Sequence, residues 1–250
     1  MEQPGHGLTV GLFATCVNDI MFPGTVRATM GVLTRLGCRV EFPDEQTCCG
    51  QMFTNTGYFS AGLATVRAFV QAFAKYDYVV APSASCIGSV RHQHEMLSQN
   101  KPALARQVKT LVARSYDLCE FLVDVLGVTD VGASFPHTVT YHLTCHARRV
   151  ACVGDRPRRL LEAVRGLTLV DLPEAETCCG FGGTFSVKNS AVSVALATDK
   201  ARNIVATGAE FVVAGDNACL MNVGGVLRRE GAAVKPIHLA HILNSEEAVR

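Results

Sequence analysis

Short apolar runs alternate along this chain with longer stretches in which apolar residues recur every three or four positions. "LTVGLFA" (8–14) is a run of the first kind and predicts a β-strand that delivers the chain to Cys16. "TVRATMGVLTRLG" (25–37) predicts a helix, with Gly37 suited to its C-terminal cap. "CRVEF" follows as a second strand. Residues 58–76 carry Phe59, Leu63, Val66, Val70 and Phe73 at steps of three and four, with Arg67, Gln71 and Lys75 turned away. That spacing predicts a helix with one apolar stripe. "YVVAP" (78–82) reads as a buried strand. The order then recurs: "TVTYHL", a helix near 156–165, "LTLVDL", a helix near 190–207 closed by Gly208, and "EFVVAG". Between the two series, residues 104–128 predict one or two amphipathic helices.

Strands alternating with helices imply an α/β fold with parallel sheets. The recurrence extends to residue identity. "VEFPDEQTCCG" (40–50) matches "VDLPEAETCCG" (170–180) at an offset of 130. "TVGLFATC", ending at Cys16, matches "TVTYHLTC", ending at Cys145, at 129. "YDYVVAPSASC", ending at Cys86, matches "AEFVVAGDNAC", ending at Cys219, at 133. Three blocks at nearly one offset mark an internal duplication. The expectation is two pseudo-symmetric halves with Rossmann-like parallel sheets. The first covers 1–133, with a helical connector about 101–128, and the second covers 134–250.

Composition narrows the chemistry. The chain has 250 residues, a formal charge of +1, and 11 cysteines. Near-neutral charge argues against nucleic acid or an anionic membrane as the main partner. No apolar run is long enough for a membrane span, and "MEQPGHGLTV" is unlike a secretory signal, so a cytoplasmic location is expected. An odd cysteine count in a reducing compartment favours metal or redox roles over disulfides.

Eight of the cysteines fall in the matched blocks, four per half: Cys16, Cys48, Cys49 and Cys86, then Cys145, Cys178, Cys179 and Cys219. All follow predicted strands, at the sheet edge where α/β folds bind ligands. Four thiolates suit zinc or an iron–sulfur cluster. Structural zinc sites usually separate paired ligands by two to four residues. Adjacent cysteines on an extended chain point apart, so a larger centre with several irons accommodates them better. Zinc stays as the alternative. Gly50 and Gly180, directly after each pair, allow the sharp turn this requires. His142 and His146 flank Cys145 and are candidates to donate hydrogen bonds to a cluster or to carry a proton.

The pattern Cys…Cys-Cys-Gly…Cys, given twice, resembles the CCG-domain family of iron–sulfur proteins. That family includes heterodisulfide reductase B subunits and the cluster subunits of glycolate oxidase and anaerobic glycerol-3-phosphate dehydrogenase. "TCCGFGGTFSVK" (177–188), "CLMNVGGVLRREG" (219–231) and "YDLCEFLVDVLG" (116–127) are similar to its short two-repeat members that serve lactate utilisation. The resemblance covers almost the whole chain. It implies an iron–sulfur electron-transfer subunit that oxidises L-lactate to pyruvate with two partners, a ferredoxin-like iron–sulfur protein and a third subunit. It implies a [4Fe–4S] centre in each half and a small 2-hydroxy acid as substrate. No catalytic residue is assigned. Heterodisulfide reductases close each motif with Cys-x-x-Cys; here Ser89 and Asn222 stand at the closing positions. That departure counts against the rival reading as a thiol–disulfide oxidoreductase subunit. A zinc-stabilised scaffold is the second rival.

Weaker signals complete the reading. Cys38, Cys119 and Cys152 have no repeat partners and are expected in the core. "HQHEM" (92–96) spaces two histidines so that they diverge on a helix, which argues against a metal site. Arg148, Arg149, Arg156, Arg158 and Arg159 form either a solvated helix face or a positive rim near the clusters, with Arg148 and Arg149 nearest Cys145. "GFGGTF" lacks the glycine spacing of a dinucleotide site.

Overall fold

The computed structural model describes residues 3–246; the extreme ends of the two expected repeats, 1–2 and 247–250, lie outside the described residues. The first half runs β1 (Thr9–Leu12), α1 (Cys16–Met21), α2 (Pro23–Arg35), β2 (Arg39–Glu41), α3 (Gln51–Asn55), α4 (Phe59–Phe73), β3 (Tyr78–Ala81), α5 (Ala84–Ser98), α6 (Pro102–Val112), β4 (Ser115–Asp117) and α7 (Leu118–Glu120). A π-helical turn over Phe121–Val125 continues α7. The second half runs β5 (Thr138–Tyr141), α8 (Cys145–Arg149), α9 (Arg156–Glu162), β6 (Thr168–Val170), α10 (Phe185–Lys188), α11 (Ser190–Ala206), β7 (Phe211–Ala214), α12 (Asn217–Arg229), β8 (Lys235–His238) and α13 (Leu239–Leu243).

Two four-stranded sheets result, ordered β2-β1-β3-β4 and β6-β5-β7-β8, with every pairing parallel. Register is duplicated along with order. Val10 pairs with Val40 and Tyr78, and its repeat mate Val139 pairs with Leu169 and Phe211. The α/β architecture of two duplicated halves expected from the sequence is the one observed.

Three details differ from the expectation. The connector is not all helix, because β4 interrupts it and extends the first sheet. Ser115, Tyr116 and Asp117 carry no apolar alternation; Ser115 Oγ donates to Leu111 O, and the Asp117 carboxylate accepts from the Cys119 amide. β8 contains Pro236 and pairs only with β7, as an edge strand permits. The stripe on α4 is also shifted. Phe59 is exposed at the helix start, while Phe69 joins Val66, Val70 and Phe73 in the core.

The halves do not bury separate cores only. One apolar cluster draws Val10, Val32, Leu33 and Leu122 from the first half and Val139, Leu160, Ile242 and Leu243 from the second. The terminal helices are exchanged: α13 packs on α2, and α7 packs on α9. At roughly 1.5–3 kcal/mol for each large apolar side chain fully buried, this shared layer binds the halves together. No helix among the described residues is long and apolar enough to cross a membrane.

Candidate metal centre

In each sheet the chain crosses to opposite sides of its first strand. This leaves a crevice at the carboxyl ends of β1 and β3, and another at those of β5 and β7. Cys16 and Cys86 enter the first crevice, and Cys145 and Cys219 enter the second. The loops after β2 and β6 bring the adjacent pairs. The crevices open into one cleft, and all eight repeat-matched cysteines line it. Cys38, Cys119 and Cys152 do not. Cys38 and Cys119 are buried in the shared core, as expected. Cys152 was expected there too, but it is exposed, on a left-handed turn (φ +57°) that carries it out of the packing.

Gly50 (φ +85°) and Gly180 (φ +82°) create the turn that lets adjacent cysteines face one cleft. Their amides donate back to sulfur, Gly50 N to Cys48 Sγ at 3.4 Å and Gly180 N to Cys178 Sγ at 3.3 Å. Cys16 Sγ lies 3.6 Å from Cys48 Sγ, and Cys179 Sγ 2.8 Å from Cys219 Sγ. Each quartet is a chain of neighbouring sulfurs in the same order, 16–48–49–86 and 145–178–179–219. Negative charge settles on the first cysteine of each adjacent pair. The hydrogen bond from Cys16, then that from Cys49, lowers Cys48 to about 3. The same bonds from Cys145 and Cys179 lower Cys178 to about 2. Cys16, Cys49, Cys145 and Cys179 are pushed well up, first by the hydrogen bond to the neighbouring sulfur and then by burial. Cys86 and Cys219 sit in the first turns of α5 and α12, so two long helices aim their N-termini, with their partial positive charge, at the cleft.

The positions that hold a fifth cysteine in heterodisulfide-type motifs do other work here. Asn222 Nδ2 donates to Cys179 O at 2.8 Å, and Ser89 Oγ to Cys49 O at 3.4 Å. Each anchors the backbone of its own Cys-Cys-Gly turn. His94, read only as one of a divergent pair, is buried and faces Cys49 O at 2.8 Å through Nε2. Its repeat mate is Leu227, so the duplication gave no signal for it. His92 instead meets Val150 O at the surface.

Of the residues flanking Cys145, His146 brings Nδ1 to 3.5 Å from Cys145 Sγ. His142 is buried beneath the second quartet, its nitrogen within 4.8 Å of the Cys179 and Cys219 sulfurs, and neither ring nitrogen has a partner. Burial holds it down to about 4, so it is neutral at ordinary pH. Arg148 and Arg149 do not line the cleft. Arg148 pairs with Glu176 at 2.5 Å, Arg156 with Asp124 and Arg158 with Glu162 and Asp171, all at the surface.

Asp216 also escaped the sequence reading. It lies at the start of α12, lines the cleft, and is buried. Its carboxylate accepts from Ser83 Oγ (2.8 Å), Ser85 Oγ (2.8 Å) and Thr144 Oγ1 (2.6 Å), and so ties the halves together. Ser83 is its repeat mate; only comparison of "APSASC" with "AGDNAC" hints at the pairing.

The cysteine-rich domain model CCG matches this chain twice, over residues 10–91 and 139–224. The chain belongs to the CCG cysteine-rich domain family. Among its relatives, Lactate utilization protein A of Oceanobacillus iheyensis is 44% identical over 238 residues, covering 95% of this chain and 97% of that protein. The protein of that name from Halalkalibacterium halodurans is 44% identical over 243 residues, covering 97% and 99%. A hypothetical protein from Helicobacter pylori shares the fold, with TM-score 0.65 and 12% identity over 97% of this chain and 49% of that one.

A CCG domain implies a metal or iron–sulfur cofactor, and the donors present fit one. In each quartet the bonds that draw the proton from Cys48 or Cys178 hold protons on Cys16 and Cys49 or on Cys145 and Cys179, and a strongly positive centre would release them. The glycine amides and helix N-termini already face the sulfurs to share that charge. Both members of each adjacent pair reach the cleft, which suits a centre with more than one metal.

Proposed function

We propose that this chain is the iron–sulfur subunit of an L-lactate utilisation system. In this reading Cys16, Cys48, Cys49 and Cys86 hold one cluster, and Cys145, Cys178, Cys179 and Cys219 hold another, each of [4Fe–4S] type. The observation that carries it is the convergence of eight thiols in one cleft, in a chain whose relatives are named for lactate utilisation.

Iron–sulfur clusters supply one-electron transfer. The chain's own groups bind and tune: eight cysteines ligate, Gly50 and Gly180 amides and the α5 and α12 N-termini offset negative charge, and Ser89 and Asn222 fix the ligand turns. Oxidation of L-lactate to pyruvate releases two electrons and two protons. A ferredoxin-like partner and a third subunit complete the chain of carriers, in the cytoplasm. Met52, an exposed apolar residue that lines the cleft, supports protein docking there. Use of the fifth-ligand positions as backbone anchors supports electron transfer over disulfide cleavage.

Metal and sulfide analysis of anaerobically purified protein tests the reading. Iron with acid-labile sulfide is expected, together with lactate-dependent reduction, followed by EPR, when the partners are added. Cys179→Ala is expected to lose the second centre and keep the first. Zinc at about two per chain, the four-thiolate alternative, without iron or sulfide would overturn it.

A further inference from the structure

The two quartets match in ligand order and turn geometry, but the layer beneath them does not. Phe13 and His142 occupy one repeat position, three residues before the first cysteine of each set. Phe69 and Lys200 occupy another, each the eleventh residue of its helix, α4 or α11. In the first half Phe13 stacks edge-on against Phe69 with centroids 5.3 Å apart, and Phe69 against His94 at 5.2 Å. That imidazole already has its Nε2 at Cys49 O. The floor of the first quartet is therefore apolar, with one imidazole committed to backbone.

In the second half two aromatic rings are replaced by an imidazole and an ammonium. His142 has both ring nitrogens unpartnered beside the Cys179 and Cys219 sulfurs. Lys200 is fully buried. Its Nζ donates to Glu174 O at 2.6 Å and Ala175 O at 3.4 Å, and it makes no salt bridge among the described residues. Those carbonyls belong to the loop leading into Cys178. Burial lowers the proton affinity of Lys200, while Cys179 and then Cys178 push it back up.

We propose that His142 and Lys200 make the second quartet the electron-attracting end of the cleft, so that its centre is reduced at higher potential than the first. An added electron is stabilised by a positive charge held in a poorly screened interior. The unpartnered His142 lies within 4.8 Å of the Cys179 and Cys219 sulfurs, and an N–H given to either sulfur acts in the same direction. The phenylalanines under the first quartet supply neither effect. Electrons entering the cleft come to rest on the second half, which gives a duplicated fold a direction. This rests on the reading that each quartet holds a cluster.

Potentiometric titration of the anaerobically prepared full chain, followed by EPR, tests it once iron analysis has established that both centres are loaded. Two waves are expected. The higher is expected to vanish in Cys179→Ala and the lower in Cys49→Ala. Lys200→Met and His142→Phe, with iron retained, are expected to move the higher wave down and leave the lower in place; Lys200→Arg should restore it. A single common wave in the wild type, or a higher wave that vanishes in Cys49→Ala, overturns the proposal even with both centres present. So does a higher wave unmoved in both Lys200→Met and His142→Phe. Iron-free wild-type protein would instead sink the cluster reading itself.

Discussion

Gly50 and Gly180 hold the same backbone conformation in the same motif, yet alanine should be tolerated very differently at the two. An L-residue in the left-handed region costs about 1–2 kcal/mol at either position. The difference lies in what the new Cβ meets. At Gly180 it overlaps Ser193 O, a backbone carbonyl in the first turn of α11, and comes within 3.2 Å of both Leu196 Cβ and Asn222 Nδ2. A helix carbonyl cannot turn aside, so the Cys-Cys-Gly turn must shift. The shift strains the 2.8 Å bond from Asn222 to Cys179 O, worth about 1 kcal/mol. Those two contributions come to about 2–3 kcal/mol, and the displaced backbone adds to them, concentrated on two ligands. At Gly50 the overlap is with Thr65 Oγ1, a side-chain atom. Thr65 can rotate and give up its 2.7 Å bond to Gly62 O, for a total of about 2–3 kcal/mol with no backbone shift added.

Iron and sulfide per chain, with a urea midpoint measured anaerobically, read out both effects. Gly180→Ala is expected to lose the second centre's iron and keep the first's. Gly50→Ala is expected to load both centres with a small stability loss, and Thr65→Ala should recover part of it. Equal loading and equal midpoints for the two glycine variants would refute the reasoning, as would a Thr65→Ala change that gives Gly50→Ala no relief.

Two further outcomes test buried carboxylates. Asp216→Ala removes three hydroxyl bonds to a buried carboxylate and is expected to cost about 3–5 kcal/mol, with Asp216→Asn costing less; unchanged urea midpoints for both would show that this contact does not hold the halves. Burial, then repulsion from Glu120, raises the Asp117 carboxyl from 3.8 to about 7. Its folded-state value lies above its unfolded one, so its contribution is full below about pH 4 and is lost as pH rises through 7, by about 4 kcal/mol at 1.36 kcal/mol per pH unit. Asp117→Asn should therefore gain on the wild type in melting temperature from pH 5 to pH 8, and a pH-independent difference would contradict this.

The strand–helix order and the duplication were legible because apolar period and residue identity both repeat. The eight cysteines were legible for the same reason, since a matched position counts twice. What escaped was asymmetric or polar. β4 is three residues held by side-chain hydrogen bonds, outside any apolar pattern. His94 and Asp216 have Leu227 and Ser83 at their repeat positions, so nothing in one half flagged the other. The arginines after Cys145 looked ambiguous because charge alone does not say which way a short helix faces; Arg148, Arg156 and Arg158 proved to be in surface ion pairs.

Asp216 bears on why the duplication stayed in one chain. A carboxylate buried beside two sets of cysteine sulfurs is unfavourable unless several donors satisfy it. Here the donors come from both halves, Ser83 and Ser85 from the first and Thr144 from the second. The next residue extends the lock, Asn217 Nδ2 reaching Asn18 Oδ1 at 2.9 Å and Thr25 Oγ1 at 2.8 Å. Apolar contacts such as the α13–α2 packing tolerate sliding, whereas a buried network with paired donors and acceptors has one register. The distance between the quartets is therefore set by directional bonds next to the cysteines themselves. In the proposed reading, electrons pass between two centres in this cleft, which needs that constancy; two independent domains on a linker would not provide it.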